Sequence, residues 1–217
     1  MQIEFTICSQ SMLLAYLPQP INEQKQELIW AMADAANELQ KVRECVCGMN
    51  NIAVFTHEIE YDELKELKIE LENIFKNLKP RQINGRIIEI EVNYGGEIGV
   101  DLIQMAKAKN ISPQELVRLH TQPLYTVFFL GFLPGFAYLG GLDERLYHPR
   151  LSSPRKSIKA GSVGIGGSQT GVYPSASPGG WNLIGSTDAV LFDPQKSEPN
   201  LLMAGDRLKF IAKEVLV

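Results

Sequence analysis

Between Gly131 and Gly185 the chain concentrates twelve of its eighteen glycines. Glycine gives up the most backbone freedom on folding, so such density belongs to turns, bulges and close backbone approaches rather than to packed helix. The same stretch has no Asp or Glu from Arg145 to Thr187, while Arg145, Arg150, Arg155, Lys156 and Lys159 supply cations. A glycine-shaped surface with aromatics and charge of one sign suits a ligand or a partner. A loop-rich β-barrel with glycine turns and solvated cations accounts for the same composition.

A chain of 217 residues can bury a core as one large or two small domains. Its net charge of −4 argues against a protein built to coat nucleic acid. No run approaches the roughly 18 consecutive apolar residues of a membrane-spanning helix. The opening MQIEFTICSQ lacks the basic start of a signal peptide. Three cysteines, Cys8, Cys45 and Cys47, do not make a disulfide framework, so a cytoplasmic location is expected. Cys45-x-Cys47 has no second Cys/His pair at metal spacing. The two thiols read as alternate side chains on one strand face, and no metal is expected.

Along the chain, Gln2–Cys8 and Ser11–Leu17 read as strands around a Ser-Gln turn. Leu28, Ile29, Met32, Ala33, Ala36 and Leu39 then form one helical stripe beginning near Asn22. Glu44–Val46 and Ile52–Thr56 make a second strand pair, followed by a helix from about Asp62 that Pro80 stops. Strands and two helices on one face predict a small α+β sandwich over residues 1–84. Asn84-Gly85 marks the seam, and residues 85–217 form the second domain. There Ile88, Ile90, Val92 and Tyr94 alternate with polar residues as a half-buried strand. Asp101 is placed to cap a short helix, and Ser112-Pro113-Gln114-Glu115 opens another that ends near His120. Leu124–Leu130, Ser162–Ile165, Gly171–Tyr173, Trp181–Gly185, Ala189–Phe192 and Arg207–Ile211 are short strands. Many short strands with few helices predict a barrel or barrel-like sandwich.

Motif tests remove several chemistries. Gly161–Ser168 falls one residue short of a P-loop, with Gly167 where the phosphate-reaching lysine belongs and no helix signal after it, so no autonomous nucleotide site is expected. There is no G-x-S-x-G elbow and no serine with a histidine at triad spacing. Arg150 and Arg155 each follow a proline, which stiffens the backbone beneath a forked donor suited to carboxylate or phosphate. Pairing with a neighbouring acid is the competing use. Phe132, Phe136, Tyr138 and Trp181 can stack on a planar ligand or fill the barrel. Pro178-Gly179-Gly180-Trp181 is a turn whose peptide N–H groups, at Gly180 in particular, form a candidate anion nest. Gln169 and Tyr173 offer neutral hydrogen bonds. His120, at a helix end, is the candidate proton carrier, although helix C-termini also favour histidine through the dipole.

These residues carry a resemblance. Asn93-Tyr-Gly-Gly-Glu-Ile-Gly-Val-Asp101, Gly131-Phe-Leu-Pro-Gly-Phe136, Tyr138-Leu139, Pro149-Arg150, Pro154-Arg155, Ala160-Gly-Ser-Val163, Gln169-Thr-Gly-Val-Tyr-Pro174 and Ser177-Pro-Gly-Gly-Trp-Asn-Leu-Ile-Gly185 occur in order. The set resembles the family of bacterial 5-oxoprolinase B-type subunits, formerly known as allophanate hydrolase subunit 1. That family includes the sporulation histidine-kinase inhibitor and part of the urea carboxylase carboxyltransferase domain. Val100 stands where the family pattern has proline, and Ile158-Lys159 where it has Val-Pro.

The resemblance implies an α+β N-terminal domain followed by a cyclophilin-like β-barrel domain. It implies a homologous C-type subunit that shares a substrate cleft, and an A-type subunit completing an ATP-dependent enzyme that opens 5-oxoproline to glutamate. Within it, Arg150 and Arg155 are expected to recognise the substrate carboxylate or a phosphorylated intermediate, with Phe136, Tyr138 and Trp181 walling the ring. The kinase-inhibitor branch implies a different role, a barrel surface that clamps a sensor histidine kinase without chemistry. Allophanate hydrolysis needs an amidase serine not found here.

Overall fold

A computed structural model describes residues 3–20, 22–81 and 84–217. Gln2, where the first strand is expected to begin, lies outside them. The chain divides into two compact units, Met1–Ile83 and Asn84–Val217.

In the first unit, β1 (Glu4–Ser9), β2 (Met12–Tyr16), β3 (Val42–Cys47) and β4 (Asn51–Thr56) form one antiparallel sheet in the order β1-β2-β4-β3. The helices are α1 (Glu23–Asn37) and α2 (Tyr61–Lys76). Asn22 starts α1 by accepting the Lys25 N–H at 2.9 Å. Phe5, Leu13, Ala15, Ile52 and Val54 alternate along their strands and are sealed together with Ile29, Met32 and Ala36 of α1 and Leu64, Leu67 and Leu71 of α2. Burial of each large apolar side chain contributes about 1.5–3 kcal/mol before entropy is counted. Cys45 and Cys47 pack against this core from β3. Burial pushes their thiols up, to about 12 and about 11 respectively.

The second unit is a closed barrel. Its elements are β5 (Ile87–Gly95), α3 (Leu102–Ala108), α4 (Pro113–Thr121), β6 (Tyr125–Leu130), β7 (Ala137–Gly140), β8 (Arg155–Ile158), β9 (Ser162–Gly166), β10 (Gln169–Val172), β11 (Ser177–Gly179), β12 (Asn182–Ser186) and β13 (Arg207–Leu216). The barrel runs β10-β7-β6-β13-β5-β12-β9, while β8 and β11 pair separately as a two-stranded ribbon. Ile90, Val92 and Tyr94 of β5 point into the core, as their period of two requires, and meet Tyr125, Val127, Leu139, Ile165, Leu208 and Phe210. The α+β unit and the barrel expected from the resemblance are both present.

Two strand expectations change. Ala189–Phe192 makes no strand; its ladder contact is an isolated bridge from Phe192 to Asn200. The last strand extends past Ile211 to Leu216, because it runs parallel to β5 as far as Gly95. Gly161–Ser168 forms β9 and the tight turn into β10, with Gly167 at φ +67°.

Candidate substrate-binding site

Asp101 begins the site, and not as expected. It precedes α3, but its side chain makes no capping bond. Instead one carboxylate oxygen accepts Arg155 Nη2 at 2.7 Å and the other accepts the Leu183 N–H at 2.6 Å. Arg155 also reaches the Trp181 carbonyl at 3.4 Å. Arg155, expected as a substrate ligand, is thus engaged as a brace and is not among the residues that line the aromatic bowl. The competing use of the guanidinium, pairing with an acid, is the one the fold adopts.

The brace holds the chain just before β12, where Trp181 lies over a bed of glycines. A Cβ on Gly166 would fall 2.3 Å from Trp181 Cδ1, and one on Gly164 3.2 Å from Trp181 Cβ. No other residue allows the indole to lie that close to the strands. Phe136, next to β7, stands edge-on to Trp181 and to Tyr173, each at 5.4 Å, and to Tyr138 at 5.0 Å. Such edge-to-face pairs fix ring orientation as well as burying area. Gly179 completes the packing, since a Cβ there would meet the Tyr173 hydroxyl at 2.6 Å.

Together these rings enclose a bowl of about 200 Å³. Phe132, Phe136, Tyr138, Tyr173 and Trp181 supply its aromatic surface, Arg150 its cation, and Pro154, Pro178, Gly179 and Gly180 the remainder. Arg150 lies over the Trp181 ring, 5.8 Å from its centroid. Burial raises the Tyr138 pKa, against the opposing charge of Arg150. Burial likewise raises that of Tyr173, against the opposing influence of the nearby Trp181 backbone and of Arg150. Both phenols stay protonated at neutral pH and offer donors. The bowl thus presents a guanidinium and two hydroxyls on an apolar, aromatic surface, which suits a small, flat, acceptor-rich anion.

Two other expected site residues lie elsewhere. Gln169 opens β10, paired with Gly166, and does not line the bowl. His120 is sealed inside the barrel, 0% exposed, because the last turn of α4 carries it inward. Thr170 Oγ1 donates to the Gly164 carbonyl at 3.0 Å, so it accepts the His120 Nε2–H at 2.8 Å. Nδ1 is then left to accept the Tyr94 O–H at 2.7 Å. Burial drives the imidazole pKa down to about 3. A neutral ring of fixed tautomer, stacked on Phe210 at 4.6 Å, ties α4 to β5 and β10. The ring expected as a proton carrier is thus held apart from the bowl, with both nitrogens engaged inside the barrel.

Pro154 lines the bowl without having been expected there, whereas Pro178 and Gly179 line it as part of the candidate-nest turn before Trp181. Asp101 is likewise an unexpected brace, since its partners lie 54 and 82 residues away. Among the described residues no group of three or more His, Cys, Asp or Glu side chains is arranged to hold a metal. No helix among them is long and apolar enough to cross a membrane.

Residues 3–202 match the family "Carboxyltransferase domain, subdomain C and D". The chain is 46% identical over 207 residues to the 5-oxoprolinase B-type subunit of Haemophilus influenzae, covering 95% of this chain and 96% of that one. It is 42% identical over 213 residues to the 5-oxoprolinase B-type subunit of Bacillus subtilis, covering 93% and 89%. A conserved uncharacterized protein of Pyrococcus horikoshii superposes with TM-score 0.59 at 36% identity, covering 97% of both chains. A longer solved protein superposes with TM-score 0.76 at 30% identity; the match covers 94% of this chain and 40% of that one. Urea carboxylase of Kluyveromyces lactis shares the fold, with TM-score 0.77 at 17% identity over 97% of this chain and 22% of its own. With a family match along most of its length and relatives above 40% identity at nearly full coverage, the chain belongs to the family of 5-oxoprolinase B-type subunits.

Proposed function

We propose that this chain is a non-autonomous component of an ATP-dependent 5-oxoprolinase, whose bowl binds 5-oxoproline while partner chains supply the reactive groups. The observation that carries the reading is the 46% identity, over nearly both full lengths, to a protein named as the B-type subunit of 5-oxoprolinase. The chemistry of the bowl supports it. The ring of 5-oxoproline is small and flat, with a carboxylate and a lactam oxygen as acceptors. Arg150 suits the carboxylate, the Tyr173 or Tyr138 hydroxyl suits the lactam oxygen, and Phe136, Tyr138 and Trp181 wall the ring.

A lactam carbonyl is a poor electrophile. Phosphoryl transfer from ATP to its oxygen, with release of ADP, makes the carbon attackable; water adds there, the C–N bond breaks as the ring nitrogen takes up a proton, and a second water cleaves the resulting acyl phosphate to glutamate and phosphate. The residues of this chain bind and orient, which lowers the entropic part of the barrier. A C-type subunit homologous to this chain closes the cleft, and an A-type subunit completes the assembly. The test is reconstitution: ATP turnover and glutamate release from 5-oxoproline with all three chains, and with each omitted. Omission of this chain should abolish coupled turnover. Full activity without it, or activity of this chain alone, overturns the division of roles.

A further inference from the structure

Phe132 combines properties that rarely occur together. Its φ is +68°. The Leu133 N–H donates to the Gly131 carbonyl at 2.8 Å, closing a γ-turn with Phe132 at its centre. A γ-turn with positive φ is the rare, strained form, and a bulky side chain there is a steric outlier. Burial does little to offset that strain, because the residue is 59% exposed.

What the turn achieves is a position for the ring. It stands edge-on to Phe136 at 5.5 Å and to Tyr173 at 6.4 Å, on the rim of the bowl. The same ring borders a second hollow of about 380 Å³, between the Gly131–Gly135 loop and Phe192 and Asn200. Phe132 is the partition between bowl and trough.

We propose that Phe132 is a selectivity residue whose ring closes the bowl to lactam acids larger than a five-membered one, and that the strained turn is retained for this purpose. Strain that the residue's own contacts do not return is found where a position serves a site rather than stability. The inference rests on reading the bowl as the 5-oxoproline site.

The experiment uses the reconstituted complex with Phe132→Ala, Phe132→Gly and Phe132→Tyr, and with Arg150→Ala as a control on the bowl. Each is assayed on 5-oxoproline and on its six-membered homologue, 6-oxopiperidine-2-carboxylate. Removing the ring should shift the ratio of kcat/KM between the two substrates toward the larger one by about tenfold, the worth of a methylene in an apolar pocket. Phe132→Tyr should keep the wild-type ratio. In thermal unfolding Phe132→Gly should melt roughly 2–4 °C above Phe132→Ala, the reverse of the usual order, because only glycine accepts this φ without strain.

An unchanged substrate ratio in the Ala and Gly variants, with Arg150→Ala impaired, overturns the selectivity role and leaves the bowl standing. If Arg150→Ala is also unimpaired, the bowl is not the substrate site and both readings fall. A Gly variant no more stable than the Ala variant overturns the claim of a strained turn.

Discussion

Asp101 and Leu183 grip each other twice. The Asp101 carboxylate accepts the Leu183 N–H at 2.6 Å, and the Leu183 carbonyl accepts the Asp101 N–H at 2.9 Å. With Arg155 on the other carboxylate oxygen, one buried acid sets the segment from which Trp181 projects.

Asp101→Ala should therefore destabilise the barrel by about 2–4 kcal/mol, since it strands a buried N–H and leaves Arg155 without its partner. Asp101→Asn keeps an acceptor for Leu183 and should cost about half as much. Urea unfolding followed by Trp181 fluorescence, in a Trp30→Phe background, measures both. A cost for Asp101→Ala no larger than for Asp101→Asn would show that the carboxylate is not the organising group.

Gly166→Ala tests the bed beneath the indole. The added methyl cannot fit 2.3 Å from Trp181 Cδ1 without moving the ring. Overpacking of this kind costs about 1–3 kcal/mol. The near-UV circular dichroism of Trp181 should change and the KM for 5-oxoproline should rise. Native spectra and an unaltered KM would mean that Trp181 tolerates displacement.

The His120 network sets a direction of pH dependence. The folded-state pKa, near 3, lies below the usual value of 6.5, so folding favours the neutral ring. That stability is complete above pH 6.5 and is lost as the pH falls from 6.5 toward 3, at up to about 1.4 kcal/mol per pH unit. The His148 pKa is also lowered, by burial first and by Lys109 second, and acts in the same sense. Urea unfolding between about pH 7 and pH 4.5 should show a shallower pH slope for His120→Gln than for the wild type. Equal slopes would place the proton elsewhere.

Alkylation separates the cysteines. Exposed Cys8 should react with iodoacetamide at about pH 8, while Cys45 and Cys47, their thiols pushed up by burial, should stay unmodified until the first unit unfolds. Mass spectrometry of tryptic peptides reads the order, and equal labelling of all three would contradict it.

Local physics was legible in the sequence. The alternation of Ile88, Ile90, Val92 and Tyr94 defined a barrel strand, the stripe from Leu64 to Leu71 defined α2, and Ser112 does accept the Glu115 N–H at 3.1 Å. The aromatics and glycines around Trp181 fitted a ligand surface and barrel packing equally well, and only the fold gathers Phe132, Phe136, Tyr138, Tyr173 and Trp181 around one hollow. Long-range pairing was not legible. Asp101 had an adequate local explanation as a helix cap, so nothing in its neighbourhood pointed to Leu183 or Arg155. The helix end around His120 offered a proton carrier or a partner for the helix dipole, whereas the inward turn of α4 packs the ring against Phe210. β13 continues past a register shift at Lys213 into Glu214, which lacks strand character and is carried by pairing with β5.

Whether substrate sits in the bowl is tested most directly by the KM for 5-oxoproline of a reconstituted complex carrying Arg150→Ala. Loss of a charge-assisted contact worth about 1.5–3 kcal/mol predicts a KM raised roughly 10- to 150-fold, with kcat at saturation and assembly of the complex unchanged. A KM equal to that of the wild-type complex would contradict it.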